Sequence, residues 1–323
     1  MIAMLLLLMP VPAGAGNDLN VDLDQVRDDF KRTLTFRDKF YDAAAIGKQV
    51  WIVGYFGTIV HVDTETSRAE RQSSGTTLPL FDVSFVDQNQ GYVIGKRGII
   101  LKTTDGGKTW VRVKREDDAN LFAAHFIDAD TGWAVGDFGT IVHTSDGGAT
   151  WENLSLQDAD INLNGCHFID AQNGFIVGEF ESIYRTRDGG MTWQEVNEQK
   201  TDGVSLFGVR FKSDLNGLAV GQNGVLFCTV DGGSSWERRK LGTDDNLLGI
   251  GVIEGRYNIV GLRGMIVEES PDGELTINNE SRISDWLNCI VGFPSGAAIA
   301  AGDHGRILWS GGSRSRRQWK ILN

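Results

Sequence analysis

The sequence predicts an all-β fold: a seven-bladed β-propeller, with an Asp-centred turn between the third and fourth strands of its best-kept blades. Three observations carry this. An eight-residue turn, Thr144-Ser145-Asp146-Gly147-Gly148-Ala149-Thr150-Trp151, recurs at 103–110, 186–193 and 229–236. A worn copy at 270–277 keeps Asp272 and Gly273 and loses the Trp. A Gly-x-x-Gly step, or its remnant, begins at Gly54, Gly95, Gly136, Gly178, Gly221, Gly261 and Gly302, a spacing of 40–43 residues. Apolar runs of strand length lie between the markers, as in sheets covered on both faces. A 40–45-residue period with several short strands per unit is the signature of propeller blades. One four-stranded sheet cannot bury either face, whereas seven around an axis can.

In chain order, Ile2 to Met9 is apolar and Ala13-Gly14-Ala15 offers a small-residue cleavage site, so 1–15 reads as a secretory signal peptide. A short uncleaved anchor is the alternative, and the apolar run is far below spanning length. No transmembrane span is expected in the mature chain. No Cys follows the run, so lipoprotein attachment is not indicated. Residues 16–39 form a charged N-terminal segment in which Leu23, Val26, Phe30 and Leu34 fall at helical spacing. A short amphipathic helix against the propeller is expected, a partner-docking helix being the sharper alternative. The propeller then fills 40–323. Its clearest unit has an inner strand over 121–127, a second over 132–136, a third over 140–144 and an outer strand over 150–154. Blade seven should end on an outer strand over 318–322.

Each part of the turn has a physical role. Asp folds its carboxylate onto backbone N–H groups, and paired Gly supplies positive φ. The Trp that follows buries a large apolar area while its N–H seeks an acceptor. Asp105, Asp146, Asp188 and Asp231, with Trp110, Trp151, Trp193 and Trp236, are therefore read as structural, their carboxylates spent on their own turns.

A net charge of −12 argues against nucleic acid as partner, because phosphate binding needs a basic footprint. With 41% hydrophobic residues and only five prolines, one continuous core without linkers is expected. Cys166 and Cys289 are expected at one shared inner-strand position, filled elsewhere by Val83, Ala124, Val209 and Ile250, as small core residues on blades too far apart for a disulfide. Cys228 completes the three cysteines, and no metal spacing is present. No metal or cofactor is expected. His125 and His167 share an inner-strand position in neighbouring blades, held by Ser84 and Arg210 elsewhere. A hydrogen-bonded polar layer is the plainer reading, a metal or acid/base pair the sharper one.

The turns match the Asp-box pattern Ser/Thr-x-Asp-x-Gly-x-Thr-Trp, also called the bacterial neuraminidase repeat, shared by sialidases, some glucanases and non-enzymatic propellers. The whole unit from Leu80 to Trp110, with Gly91-Tyr92-Val93-Ile94-Gly95-Lys96-Arg97-Gly98 and the turn after it, resembles the photosystem II stability/assembly factor family. The resemblance covers about residue 40 to the end. It implies a non-catalytic propeller outside the cytoplasm, periplasmic or thylakoid-lumenal, that assists assembly of a membrane complex. Its partner would be a membrane or envelope protein client, and a monomer is expected. In the photosynthetic members a basic patch is implied to engage a reaction-centre subunit.

Strand connectivity places the Gly-x-x-Gly loops and the outer-to-inner crossings on one face, opposite the Asp turns. That face carries Tyr55 and Phe56, Lys96 and Arg97, Asp137 and Phe138, Glu179 and Phe180, Gln222 and Asn223, Leu262 and Arg263, and Asp303 and His304. The crossings add Asp117, Asp118, Asp158, Asp160, Asp244 and Asp245. The partner-binding residues are expected to be Arg97, Arg263 and Arg306 as charged anchors and Tyr55 as an aromatic one, in one sector of blades one, two, six and seven. A cation at a funnel mouth of an acidic chain can steer an acidic client segment, and Arg binds carboxylates bidentately. The plainer alternative pairs each Arg with a loop Asp. Two further readings stand beside the scaffold. A glycoside hydrolase would draw on Asp137, Glu179, Glu181 or Asp303, and would show a deep central pocket with two carboxylates. A small-ligand or Ca²⁺ site would draw on Glu179-Phe180-Glu181, where a carboxylate replaces the second Gly; an exposed, tolerated variation is the plainer expectation.

Overall fold

The computed structural model describes residues 21–322 apart from 116, 158, 198–200, 279–282 and 313–316. The signal-peptide expectation for 1–15 and the crossing residue Asp158 lie outside the described residues. Seven four-stranded antiparallel sheets form, each from four consecutive strands, over 40–72, 80–113, 121–153, 163–195, 206–240, 247–278 and 287–321. The first strand of each sheet packs against the first strands of the sheets before and after it, and Phe40–Ile46 packs against Leu287–Gly292, so the ring closes. The protein is a seven-bladed β-propeller. Blade seven ends on Trp319–Ile321. No helix among the described residues is long and apolar enough to cross a membrane.

The glycine repeat has a steric cause that is not local. A Cβ on Gly54 would stand 1.9 Å from the Lys39 carbonyl oxygen, and one on Gly136 would stand 1.7 Å from that of Asn120. The other five first glycines meet the incoming crossing in the same way, at 1.8–2.3 Å. Only Gly lets the second strand end against the backbone that opens the first. The second Gly of the step holds φ between 60° and 71° in six blades.

The Asp turns are locked by side chains. Asp146 Oδ1 accepts from Thr150 N (2.8 Å) and from Thr144 Oγ1 (2.9 Å), and its Oδ2 accepts from Thr150 Oγ1 (2.6 Å). Thr144 Oγ1 in turn accepts from Gly148 N at 2.8 Å. Asp105, Asp188 and Asp231 repeat the arrangement. These bonds stabilise the ionised form, and Asp146 and Asp231 are held down to about 2. The indoles behave differently from expectation. Trp110 Nε1 donates to Gln72 Oε1 at 3.2 Å, but the N–H groups of Trp151, Trp193 and Trp236 meet no acceptor among the described residues. Their seats are apolar and aromatic, so packing holds the ring.

A relay joins one blade to the next. Trp51, Tyr92 and Trp133, on second strands, donate to the carbonyls of Gly106 (3.2 Å), Gly147 (2.9 Å) and Gly189 (2.9 Å) in the following blade's turn. Each also stacks on the Phe ending the next first strand: Trp51 on Phe85, Tyr92 on Phe126, Trp133 on Phe168, at 3.5–3.7 Å between centroids. That Phe meets the turn Trp edge-on. Phe175, Phe211 and Trp236 continue the pattern without the donor.

The helix Leu23–Thr33 starts on Asp22, whose Oδ1 accepts from Asp24 N and Gln25 N. It buries Val26 and Phe30 in a cluster shared by blades one and seven. Asp29 accepts from Ala69 N of the outer strand at 3.1 Å, which ties the helix to blade one.

Two sequence expectations are corrected. Cys289 pairs with Ala301, next to Gly302, whereas Cys166 pairs with Ile176, two before Gly178. Cys289 thus shares the position of Gly165, one residue from that of Cys166, which Ile290 fills in blade seven. The three cysteines are free. Glu181 is not exposed: its side chain is wholly buried in the left-handed conformation at φ 55°. Its carboxylate accepts from Arg238 Nε of blade five (2.9 Å) and from Thr201 N (2.7 Å), an ion pair between blades.

Candidate functional site on the Gly-x-x-Gly face

The third residue of each Gly-x-x-Gly step is left-handed in all seven blades: Phe56, Arg97, Phe138, Phe180, Asn223, Arg263 and His304, with φ of 52–57°. Holding a bulky non-Gly residue there costs on the order of 1 kcal/mol each, and such strain concentrates at functional sites. Phe56, Phe138 and Phe180 are 63%, 68% and 53% exposed, so they stand on the surface and do not pack between blades. Tyr55 is less exposed, with its ring edge-on to Phe56 at 4.6 Å. Phe36 and Trp286, on the crossings into blades one and seven, are exposed on the same face. Among the described residues, every exposed large aromatic lies here. The opposite face shows aliphatic Met191, Leu215 and Val230 instead.

The arginines divide. Arg263 donates to Asp245, with Nε at 3.0 Å from Oδ2, and Arg306 lies 2.8–2.9 Å from Asp285 Oδ2. Both therefore sit in pairs with crossing carboxylates, as the plainer reading had it. His304 also approaches Asp285, at 3.0 Å. Arg97 makes no ion pair among the described residues. It borders a depression of about 280 Å³ shared with Arg112, Lys114, Arg115 and Asp117 on blade two. Lys39 pairs with Asp303 at 3.2 Å. Among the described residues the paired cations leave the face acidic and aromatic, with positive charge gathered at blade two by Arg97, Arg112 and Lys114, Arg115 being paired with Asp117. Burial raises Asp137, whose carboxylate accepts from Asn120 Nδ2 at 2.8 Å, and Glu179 is held by Asn162.

At the axis lies a cavity of about 430 Å³ walled by the first strands. Near the Gly-x-x-Gly end, the second position of these strands supplies Tyr41, Phe81, Phe122 and Phe207. Tyr41 meets Phe81 at 5.5 Å, and Phe81 meets Phe122 at 5.6 Å. The third position supplies Asp42 and Asp82 from neighbouring blades, with Gly165, Gly208 and Gly249 across from them. Asp42 Oδ2 accepts from Val83 N at 3.1 Å. Burial pushes Asp42 up to about 6, against the pull of Val83 N–H and the Arg210 charge. Asp82 is raised well above the carboxylate range by burial and by Asp42. Sequence reading missed this pair. A bulge after the first residue of each first strand turns positions two and three both toward the axis, which strict alternation does not anticipate.

His125 and His167 lie edge-on at 4.8 Å. Burial and the nearby Arg210 charge push His125 down to about 3, and burial also carries His167 well below the usual range, so both are neutral. No group of three metal-ligating side chains occurs among the described residues.

The family model described as "Photosynthesis system II assembly factor YCF48" matches residues 63–162 and 157–249, more than half of the chain. This chain belongs to that family. Short stretches match curated members: the photosystem II assembly lipoprotein Ycf48 of Prochlorococcus marinus is 40% identical over 53 residues, 16% of this chain and 15% of the relative. The chloroplastic stability/assembly factor HCF136 of rice (Oryza sativa subsp. japonica) is 33% identical over 66 residues, 20% of this chain and 15% of the relative. These matches thus span less than a sixth of the curated relatives' length. Among solved structures, YCF48 bound to a D1 peptide superposes with TM-score 0.71 at 18% identity, covering 86% of this chain and 94% of that one. The GH74 enzyme of Niastella koreensis also reaches 0.71, at 14% identity, over 89% of this chain and 54% of its own. At such identities the likeness concerns the fold.

Proposed function

We propose that this family member is an exported, non-catalytic scaffold that binds a membrane or envelope protein client through its Gly-x-x-Gly face and assists assembly of the client's complex. The observation that carries it is the one-sided crown of exposed aromatics, three of them kept in a strained backbone conformation. Aromatic anchors dominate protein interfaces. Tyr55, Arg97, Arg263 and Arg306 belong to this face. Arg97 and its basic neighbours on blade two are the sector for client carboxylates, while Arg263 and Arg306 would have to exchange an internal carboxylate for one on the client. The test is capture from detergent-solubilised membranes by immobilised protein, with mass spectrometry of what is retained. A Phe56→Ser, Phe138→Ser, Phe180→Ser variant should keep its Tm and lose the client. Equal capture by the folded triple variant would refute the reading.

A glycoside hydrolase is the second reading, favoured by the axial carboxylates and the GH74 fold likeness. It requires turnover of a β-glucan such as xyloglucan that Asp42→Asn or Asp82→Asn abolishes.

A further inference from the structure

We propose that the axial cavity is a receptor for one guanidinium or alkylammonium side chain carried by the client, its charge seated on Asp42 and Asp82. This rests on the client-binding reading above. The cavity lies at the centre of the aromatic face, and its volume of about 430 Å³ suits a single long side chain. Among the described residues neither carboxylate has an ion-pair partner. The one cation in the wall, Arg210, acts on both carboxylates through its charge without pairing with either, and its Nη1 donates to Val209 O (3.0 Å) and Cys166 O (3.4 Å). Two unpaired carboxylates in a shielded channel are costly unless a cation joins them. Opposite them the cavity is lined at the same level by Gly165, Gly208 and Gly249, where the neighbouring strands approach too closely for a side chain.

The walls fit the rest of such a guest. Tyr41, Phe81, Phe122 and Phe207 stand one residue nearer the mouth, about 3.3 Å along the strand. A methylene stem passing that ring is covered by apolar surface, and the ring faces favour a passing cation. The head group then reaches the level of Asp42 and Asp82. An anionic side chain would meet like charge at this depth. The cation is placed on the client because the aromatic ring of Tyr41, Phe81, Phe122 and Phe207 lies at the end of the cavity nearer the face that carries the exposed aromatic anchors.

The probes are acetylated, amidated heptapeptides, Ala-Leu-Ala-X-Ala-Leu-Ala, with X as arginine, lysine, citrulline or glutamate, and the free cation agmatine, measured by calorimetry at pH 8. The arginine and lysine peptides should bind. Citrulline, the neutral isostere of arginine, and glutamate should not. An Asp42→Asn, Asp82→Asn double variant should weaken the arginine peptide at least about tenfold, as for other buried charge contacts cut on one side. That variant loses only buried charge and should remain folded, which its Tm checks. Citrulline binding as tightly as arginine, or unchanged binding by the folded double variant, overturns the proposal. Agmatine binding without any peptide binding overturns the client as the source. Client capture that falls with the triple Phe variant but not with the double Asn variant also overturns it, while leaving the scaffold reading standing.

Discussion

The four seams from blade one to blade five and the three from blade five through six and seven back to blade one solve the same packing problem differently. In the first set, an aromatic residue of one blade stacks on a Phe of the next; Tyr92, Trp133 and Phe175 also face the second Gly of the following turn, while Gln72 faces Gly107 between blades one and two. In the second set, polar and charged side chains span the gap. Lys212 pairs with Glu269 and lies 4.7 Å from the Tyr257 ring centroid, and Tyr257 Oη donates to Asn216 O at 2.7 Å. Arg317 bridges blades six and seven through Asn258 Oδ1 (2.9 Å), Gly296 O (3.4 Å) and Glu254. Blades seven and one close on the N-terminal helix and on Asn288 Nδ2 donating to Phe40 O at 2.7 Å. The difference teaches that the Asp turn is one half of a joint. It is kept where the preceding blade offers an aromatic ring to it, and it is worn where another device spans the seam.

The largest expected effect separates two turn glycines, the second of blade five's turn and the first of blade six's, where Glu274 fills the second place. A Cβ on Gly233 would stand 2.2 Å from Phe175 Cε1 at φ 73°, whereas one on Gly273, at φ 87°, meets nothing nearer than 3.9 Å. Gly233→Ala should cost on the order of 3–4 kcal/mol, overpacking plus backbone strain, and Gly273→Ala only about 1 kcal/mol, strain alone. Urea unfolding of the two variants measures the gap, and equal losses would remove the joint from the explanation.

Next comes the polar seam. Arg317→Met removes a buried cation from Asn258, Glu254 and Glu268 and should cost about 3 kcal/mol, because Asn258 Oδ1 and Glu268 lose it while Glu254 keeps Arg256. A neutral or stabilising outcome would show that apolar packing serves this seam as well. In the aromatic set, Tyr92→Phe keeps the stack and deletes one bond to Gly147 O, which Lys102 Nζ still reaches at 2.6 Å. About 1 kcal/mol is expected.

The smallest effect is electrostatic and compares the axis with the turns. Asp42 has its folded pKa raised from 3.8 to about 6, so the native state binds the proton more tightly and stability falls as pH rises across that interval. Asp146 and Asp231 are lowered from 3.8 to about 2, so their contribution is lost as pH falls across that lower interval. Tm measured from pH 2 to 8 should decline at both ends. Asp42→Asn should flatten the upper arm and Asp146→Asn the lower one; an upper arm unchanged in Asp42→Asn would place its origin elsewhere.

The blades were legible because their markers are obligatory. The first Gly of each step is pressed against a carbonyl some sixteen residues upstream, so it recurs at the blade period whatever surrounds it. The helix over 23–33 was legible from Val26 and Phe30, which it buries. The face was legible from connectivity, and so were its loop-tip residues. What escaped depends on contacts across blades or on departures from strand alternation. Glu181 reads as a surface substitution until Arg238 of the next blade is seen beside it. Asp42 and Asp82 read as ordinary strand residues until the bulge turns them inward. The pairing of Arg263 with Asp245 and of Arg306 with Asp285 joins residues about twenty apart, a spacing that carries no periodic signal.

Every blade is a single uninterrupted run of chain, and none borrows a strand from another. The ring therefore closes by side chains and loop contacts alone, and the order in which blades are strung is separable from the order in which they sit. A circular permutant opened at the crossing near Gly75, with old ends joined by a flexible linker, breaks no sheet, since Gly75 lies between the sheets over 40–72 and 80–113. The same modularity makes the whole blade the natural unit of insertion or loss. A chain of this kind changes its circumference by one repeat at a time, and never by a strand.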